Sequence, residues 1–110
     1  EVKEVVGNLS DKSKLAKLVA QRPDIVYHLA AVVSGEAERD FDKGWQVNMF
    51  HMWQLLELLR QENITSDGTY CPKVIFTSSV AVFGGPFPEY ISDDFLTVPQ
   101  TSYGAQKAAC

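Results

Sequence analysis

The sequence predicts an α/β fold, the central part of a doubly wound parallel sheet. Two observations carry this. Short apolar runs of strand length alternate with segments of helical period, in the order strand, helix, strand, helix, strand, loop, helix. The runs are also apolar at consecutive positions, as in strands covered by helices on both faces. Three strands make a thin sheet, and the last helix has barely one turn beyond Tyr103. Residues 1–110 therefore read as one partial domain. The expectation is that a first strand–turn–helix and a C-terminal substrate part lie outside these residues.

The elements follow in order. Glu1 to Val6 (EVKEVV) is rich in β-branched residues and stops at Gly7-Asn8, as a first strand would. Ser10 is placed to cap a helix from Asp11, with Leu15, Leu18 and Val19 as its apolar stripe and Arg22-Pro23-Asp24 as its end. Ile25 to Leu29 (IVYHL) is the second strand, followed by Ala30–Val33 and a polar loop from Ser34 to Glu38. A long helix is predicted over 40–61. Phe41, Trp45, Met49, Met52, Trp53, Leu55, Leu56 and Leu59 form its broad stripe. Val47, Phe50 and Leu58 fall on the opposite side and predict a second buried face, which a two-fold partner would cover. Asn63 to Tyr70 is a loop by composition, and Lys73 to Ser78 (KVIFTS) is the third strand. Gly84 to Gln100 is a long irregular connection of the kind that usually carries function, and a new helix starts near Ser102.

Composition narrows the classes. With 45% apolar and 22% charged residues the chain is an ordinary soluble globular one, and a net charge of -4 with a pI near 5.0 disfavours a phosphate backbone. The expected partners are a small-molecule substrate and a second copy of the chain, with no nucleic acid and no membrane. No run reaches the roughly 18 apolar residues of a membrane span, and Glu1 to Ser10 lacks a signal pattern, so the default compartment is cytoplasmic. Cys71 and Cys110 make no disulfide framework. His28, in an apolar strand, and His51, on a helix flank, have no second ligand at metal spacing, so no metal is expected.

The chemistry concentrates in Tyr103-Gly104-Ala105-Gln106-Lys107. Residues four apart on a helix share a face, which places an ammonium near a phenol. A phenol is a poor base at its ordinary pKa of about 10, and a nearby cation favours the phenolate needed to take a proton from an alcohol. The plain alternative is a solvated helix pair. Thr77-Ser78-Ser79 sits where a buried strand ends, and parallel strands open their carboxyl ends onto the ligand crevice. A Ser hydroxyl there can bond a substrate oxygen, or it can serve turn geometry alone. Asn48, at the edge of the long stripe, either ties down backbone or holds an ordered water.

Taken together, HLAA at 28–31, Asn48 after Val47, TSSVAVFG at 77–84 and YGAQK at 103–107 resemble the extended short-chain dehydrogenase/reductase family of nucleotide-sugar epimerases, dehydratases and sugar-acid dehydrogenases. The resemblance implies a Rossmann-like fold and NAD as cofactor, with NADP left open. It implies Tyr103 as acid/base, Lys107 as its electrostatic partner and holder of the nicotinamide ribose, Ser79 as the residue orienting the reacting hydroxyl, and Asn48 in the proton relay. Leu29, Ala30, Ala31 and Val32 would line the cofactor trough, joined by Ser78, Asn48, Tyr103 and Lys107. Asn8-Leu9 aligns with the family's Asp-Leu at the adenine, with the charge lost. The family's dimers form through helices matching 40–61 and the one near 102. Its Gly-rich turn and the following acidic residue have no counterpart among these glycines, so the chain resembles the central third of such an enzyme. The implied activity is oxidation of a secondary hydroxyl of a sugar acid. The alternatives are a nucleotide-sugar epimerase or dehydratase, and a non-catalytic remnant acting only by association.

Overall fold

The computed structural model describes residues 1–110. Helix α1 spans Lys12–Val19, strand β1 Ile25–His28, α2 Ser34–Arg39 and α3 Phe41–Trp45. A π turn, Gln46–Phe50, joins α3 to α4, His51–Thr65; β2 is Lys73–Phe76, a 3₁₀ turn covers Val80–Val82, and α5 is Ser102–Ala109. Strands β1 and β2 pair in parallel, with Val26 opposite Val74 and His28 opposite Phe76. The core joins Leu15 and Val19 of α1 to Met52, Leu55, Leu58 and Leu59 of α4, with Tyr70 beside them and Val26, Val74 and Phe76 of the sheet packed against it.

The sheet has two strands, not three. Glu1–Val6 is exposed and pairs with neither β1 nor β2, and a segment without a hydrogen-bonded neighbour forms no strand. Helices cover one face only. Val26, His28, Val74 and Phe76 turn toward α1, α4 and the end of α5, while on the other face Ile25 and Tyr27 stand open, Tyr27 at 61% exposure. The N-cap of α1 is Asp11, not Ser10: its carboxylate accepts from the Lys14 amide at 3.0 Å.

Ser34–Glu38 is helical rather than a loop. Helix α2 has six residues with one buried apolar side chain, Ala37, so it leaves no periodic signal in the sequence. Asp40 then ends α2 and caps α3, accepting from the Lys43 amide at 3.0 Å, and Lys43 pairs with Glu36 of α2. The predicted 40–61 helix is instead α3, a π turn and α4, running on to Thr65. Gly68, at φ +80°, closes its end as its amide bonds the Asn63 carbonyl at 2.9 Å.

The buried stripe of α4 is rotated from the predicted one. Trp53 and Leu56 are exposed, as is Phe41 at the start of α3, whereas Leu58, assigned to a second face, is in the core. Helix α1 packs on α4, and its Leu15 and Val19 join Leu58 in one core from which the indole of Trp53 is left out. No helix is long and apolar enough to cross a membrane.

Candidate active site

Helix α5 is seated by local chemistry. Thr101 caps it, its hydroxyl oxygen accepting from the Gly104 amide at 3.0 Å. Glu38 of α2 caps it from outside: one carboxylate oxygen accepts from the Tyr103 amide at 2.8 Å and from the Ser102 hydroxyl at 2.9 Å. Those two bonds hold the Glu38 carboxyl below its usual range, and a negative charge suits a helix N-terminus. Gly104 lies against the 3₁₀ turn, where a Cβ would fall 2.2 Å from the Ala81 carbonyl oxygen, so only glycine lets the two backbones meet. That turn is itself capped by Ser79, whose Oγ accepts from the Ala81 amide at 3.2 Å. Tyr103 therefore starts a helix packed directly on the turn that Ser79 begins.

Lys107 is not a solvated partner of Tyr103. It is 4% exposed, its Nζ donating to the Thr77 carbonyl at 2.9 Å just past the end of β2. The ammonium sits 4.7 Å from the Phe76 ring centroid and 5.9 Å from that of Tyr103. Burial pushes the Lys107 pKa down from its ordinary value, opposed by the neighbouring Cys110. An ammonium has three N–H groups, and Thr77 takes one.

Asn48 lies in the π turn, 1% exposed, and ties down backbone. Its Oδ1 accepts from the Val32 amide at 2.9 Å, and its Nδ2 donates to the Val32 carbonyl at 3.1 Å and to Gln106 Oε1 at 2.8 Å. The Asn48 carbonyl accepts from Cys110 Sγ at 3.2 Å, and burial pushes that thiol's pKa up, which keeps it a donor. Widened π turns of this kind often mark functional positions.

The structure thus brings Asn48, Ser79, Tyr103 and Lys107 around α5. The other predicted residues form a second group. Leu9, Leu29 and Ala30 share an apolar cleft of about 330 Å³ beside β1 with Leu18, Val26 and Tyr27, while Asn8 bonds the Ser10 amide at 2.9 Å outside it. Ala31 and Ser78 are exposed, and Val32 links the groups through Asn48. His28 is buried on the covered face, both ring nitrogens without a protein partner, and burial lowers its pKa. Sequence reasoning missed Glu38, read as loop, and Gln106, which is wholly buried. The spacing of Gln106 from Tyr103 held a signal: in a helix that carries Tyr103 and Lys107 inward, the residue before Lys107 also faces the protein.

A parallel sheet whose strand ends meet a helix bearing Tyr and a buried Lys places the chain among α/β proteins that bind ligands outside the carboxyl ends of their strands. The chain belongs to the NAD dependent epimerase/dehydratase family, whose sequence pattern matches residues 2–110. It is 47% identical over 107 residues to a D-erythronate dehydrogenase of Cupriavidus necator and 42% identical over 105 residues to one of Haemophilus influenzae. These alignments take in 97% and 94% of the chain and 31% of each relative, so the chain spans about a third of their length. Its fold is similar to that of a nucleoside-diphosphate-sugar epimerase from Agrobacterium tumefaciens, with TM-score 0.84 and 53% identity over 93% of this chain and 29% of the other.

Proposed function

We propose that the protein acts as an NAD-dependent oxidoreductase on a secondary hydroxyl of a D-erythronate-like sugar acid, with Tyr103 as acid/base. The observation that carries the reading is the Lys107 ammonium, buried beside Tyr103 and fixed to the Thr77 carbonyl where β2 ends. The ammonium places a positive charge beside the phenol ring and keeps two N–H groups for the hydroxyls of a ribose. Small side chains at Ala30 and Ala31 leave the exposed backbone after β1 open to a flat ligand. These features suit the nicotinamide half of the cofactor, while the glycine spacing that grips a pyrophosphate is not in this sequence.

When bound, NAD supplies the hydride acceptor. The rest of the chemistry belongs to side chains. Tyr103, as the phenolate, takes the hydroxyl proton and is left as the neutral phenol, and the Lys107 ammonium is the positive charge that faces the phenolate before that transfer. Ser79 Oγ already accepts from Ala81, so its own hydroxyl hydrogen is free to donate to the substrate oxygen. Asn48 holds the chain at Val32 against α5.

In the whole protein, Tyr103→Phe should lower turnover by roughly a hundredfold or more while NADH affinity, read by fluorescence, stays within about twofold. Retention of more than about a tenth of the wild-type rate would remove Tyr103 as the base. A second reading, a nucleotide-sugar epimerase, is favoured by the likeness to the Agrobacterium tumefaciens epimerase. It uses the same residues but returns the hydride, so NADH accumulating with D-erythronate and not with a nucleotide sugar supports the dehydrogenase. We also propose a homodimer through α3, α4 and α5, with exposed Phe50 and Trp53 at its contact and buried Leu58 withdrawn from it. Phe50→Glu with Trp53→Glu should then sediment as a folded monomer.

A further inference from the structure

We propose that Gln106 is a positioning residue that latches the Tyr103–Lys107 helix to the chain leaving β1. The proposal rests on the dehydrogenase reading for its kinetic consequences and on geometry alone for the latch. Gln106 is wholly buried, and Asn48 is 1% exposed. Asn48 uses both Nδ2 hydrogens, one on Gln106 Oε1 at 2.8 Å and one on the Val32 carbonyl at 3.1 Å, and its Oδ1 takes the Val32 amide at 2.9 Å. Reversing the Asn48 amide would set oxygen against the Val32 carbonyl and nitrogen against the Val32 amide, so Val32 fixes which end of Asn48 can meet Gln106.

Neighbouring residues of α5 then grip the exits of two neighbouring parallel strands. Gln106 reaches Val32, four residues past β1, through Asn48, and Lys107 reaches Thr77, one residue past β2, directly. Ligands of open parallel sheets bind outside those carboxyl ends. The helix bearing the acid/base residue is therefore registered against both sides of that crevice, by one bond through Gln106 and one through Lys107. Gly44 of α3 is part of the seat: a Cβ there would lie 2.8 Å from Gln106 Nε2 and 3.0 Å from the Ala37 Cβ. Removing the Gln106 acceptor takes away the buried tie of α5 to Val32, leaving Glu38 at its first turn and Cys110 at its last residue to hold that side. Tyr103 would then drift relative to the chain at Val32, a geometric loss felt in turnover rather than in substrate affinity.

The test uses the whole protein. Gln106→Met keeps the volume and removes the acceptor. We expect hydrogen exchange of the Val32 amide to speed about tenfold, kcat to fall about tenfold, and KM for D-erythronate to stay within about twofold. Gln106→Leu, which likewise offers no acceptor, should do the same. Gln106→Glu keeps an acceptor oxygen and should recover most of the loss. Should Gln106→Met fail to fold, Gln106→Leu and Gln106→Glu carry the test by the same readouts. Unchanged Val32 exchange overturns the proposal. So does faster exchange with wild-type kcat, which would leave Gln106 a structural tie only. A wild-type protein that produces no NADH from a sugar acid overturns the dehydrogenase reading instead, and Val32 exchange still decides the latch.

Discussion

The two faces of the sheet differ in what they keep from water. On the covered face, polar and titratable groups are buried: His28, Asn48, Gln106 and Lys107 are all nearly inaccessible. On the open face, and along the β1 edge, apolar groups meet solvent: Ile25, Tyr27 and Leu29 are all exposed. Beside the apolar core these are exceptions to the ordinary sorting of residues, and both kinds of exception are informative. Buried polar groups persist only where each finds a partner or a task, and here three of the four are joined to backbone or to one another around α5. The exposed apolar residues are of the type that helices cover in doubly wound sheets. The covered face therefore carries the proposed acid/base set, and the open face presents apolar side chains of the kind that helices bury.

Lys107 breaks the covered face most directly. Lys107→Met fills a similar volume but loses the bond to Thr77 and the cation beside Tyr103. In the whole protein it should cut turnover roughly a hundredfold and weaken NADH binding about tenfold, measured by steady-state rates and fluorescence titration. Lys73→Met, at an exposed position of β2, should change neither. Equal losses in the two variants would mean that the burial of Lys107 is incidental.

Packing on α4 separates its faces next. Leu58→Ala should cost about 2–5 kcal/mol in chemical denaturation, whereas Trp53→Ala, at 64% exposure, should stay within about 0.5 kcal/mol for an unassociated chain. The reverse order would restore the stripe expected from the sequence.

That stripe shows what a single sequence can and cannot disclose. Ile25–His28, Lys73–Phe76 and the Tyr103–Lys107 helix were legible, because apolar runs bounded by turn residues and a capped helix start are local signals. The rotation of α4 was not, because it depends on α1 packing beside Leu58, a long-range fact. Helix α2 was hidden by having one buried apolar residue, and the loss of the Glu1–Val6 strand by the need of any strand for a neighbour. Around α5, Tyr103, Lys107 and Asn48 could be singled out from residue type and spacing, and Ser79 within its Thr-Ser-Ser run from the family resemblance. For Gln106 the spacing tells only that it faces inward, not that it meets Asn48, 58 residues away, and nothing local points from Glu38 to Tyr103, 65 residues distant.

Acid should loosen the covered face before the open one. Burial lowers the pKa of His28 below its ordinary 6.5, so the folded state prefers the neutral ring and unfolding takes up a proton as pH falls. Its contribution is fully present above pH about 6.5 and declines through the window below it. Thermal melts of wild type should therefore fall between pH about 7 and 5 by more than those of His28→Phe. Parallel falls in the two proteins would place the acid sensitivity elsewhere.

The smallest effect separates the cap of α5 from everything beneath it. Glu38 is exposed, yet its carboxyl is held below its ordinary 4.5 by the Tyr103 amide and the Ser102 hydroxyl. A depressed carboxylate pKa stabilises the folded state above the unfolded value and is lost as pH falls through the folded one. The melting temperatures of wild type and Glu38→Gln should thus differ by a constant amount from neutral pH down to about 5 and converge below about pH 4. The carboxamide of the Glu38→Gln variant would still offer an oxygen to the Tyr103 amide. What disappears with the charge is its attraction to the helix N-terminus and the stronger charge-assisted bond. Because Glu38 touches α5 only at its first turn, convergence should come without change in Val32 exchange, which Asn48 and Gln106 control from the buried side. A Glu38→Gln protein whose melts track wild type at every pH would show that Thr101 alone caps the helix.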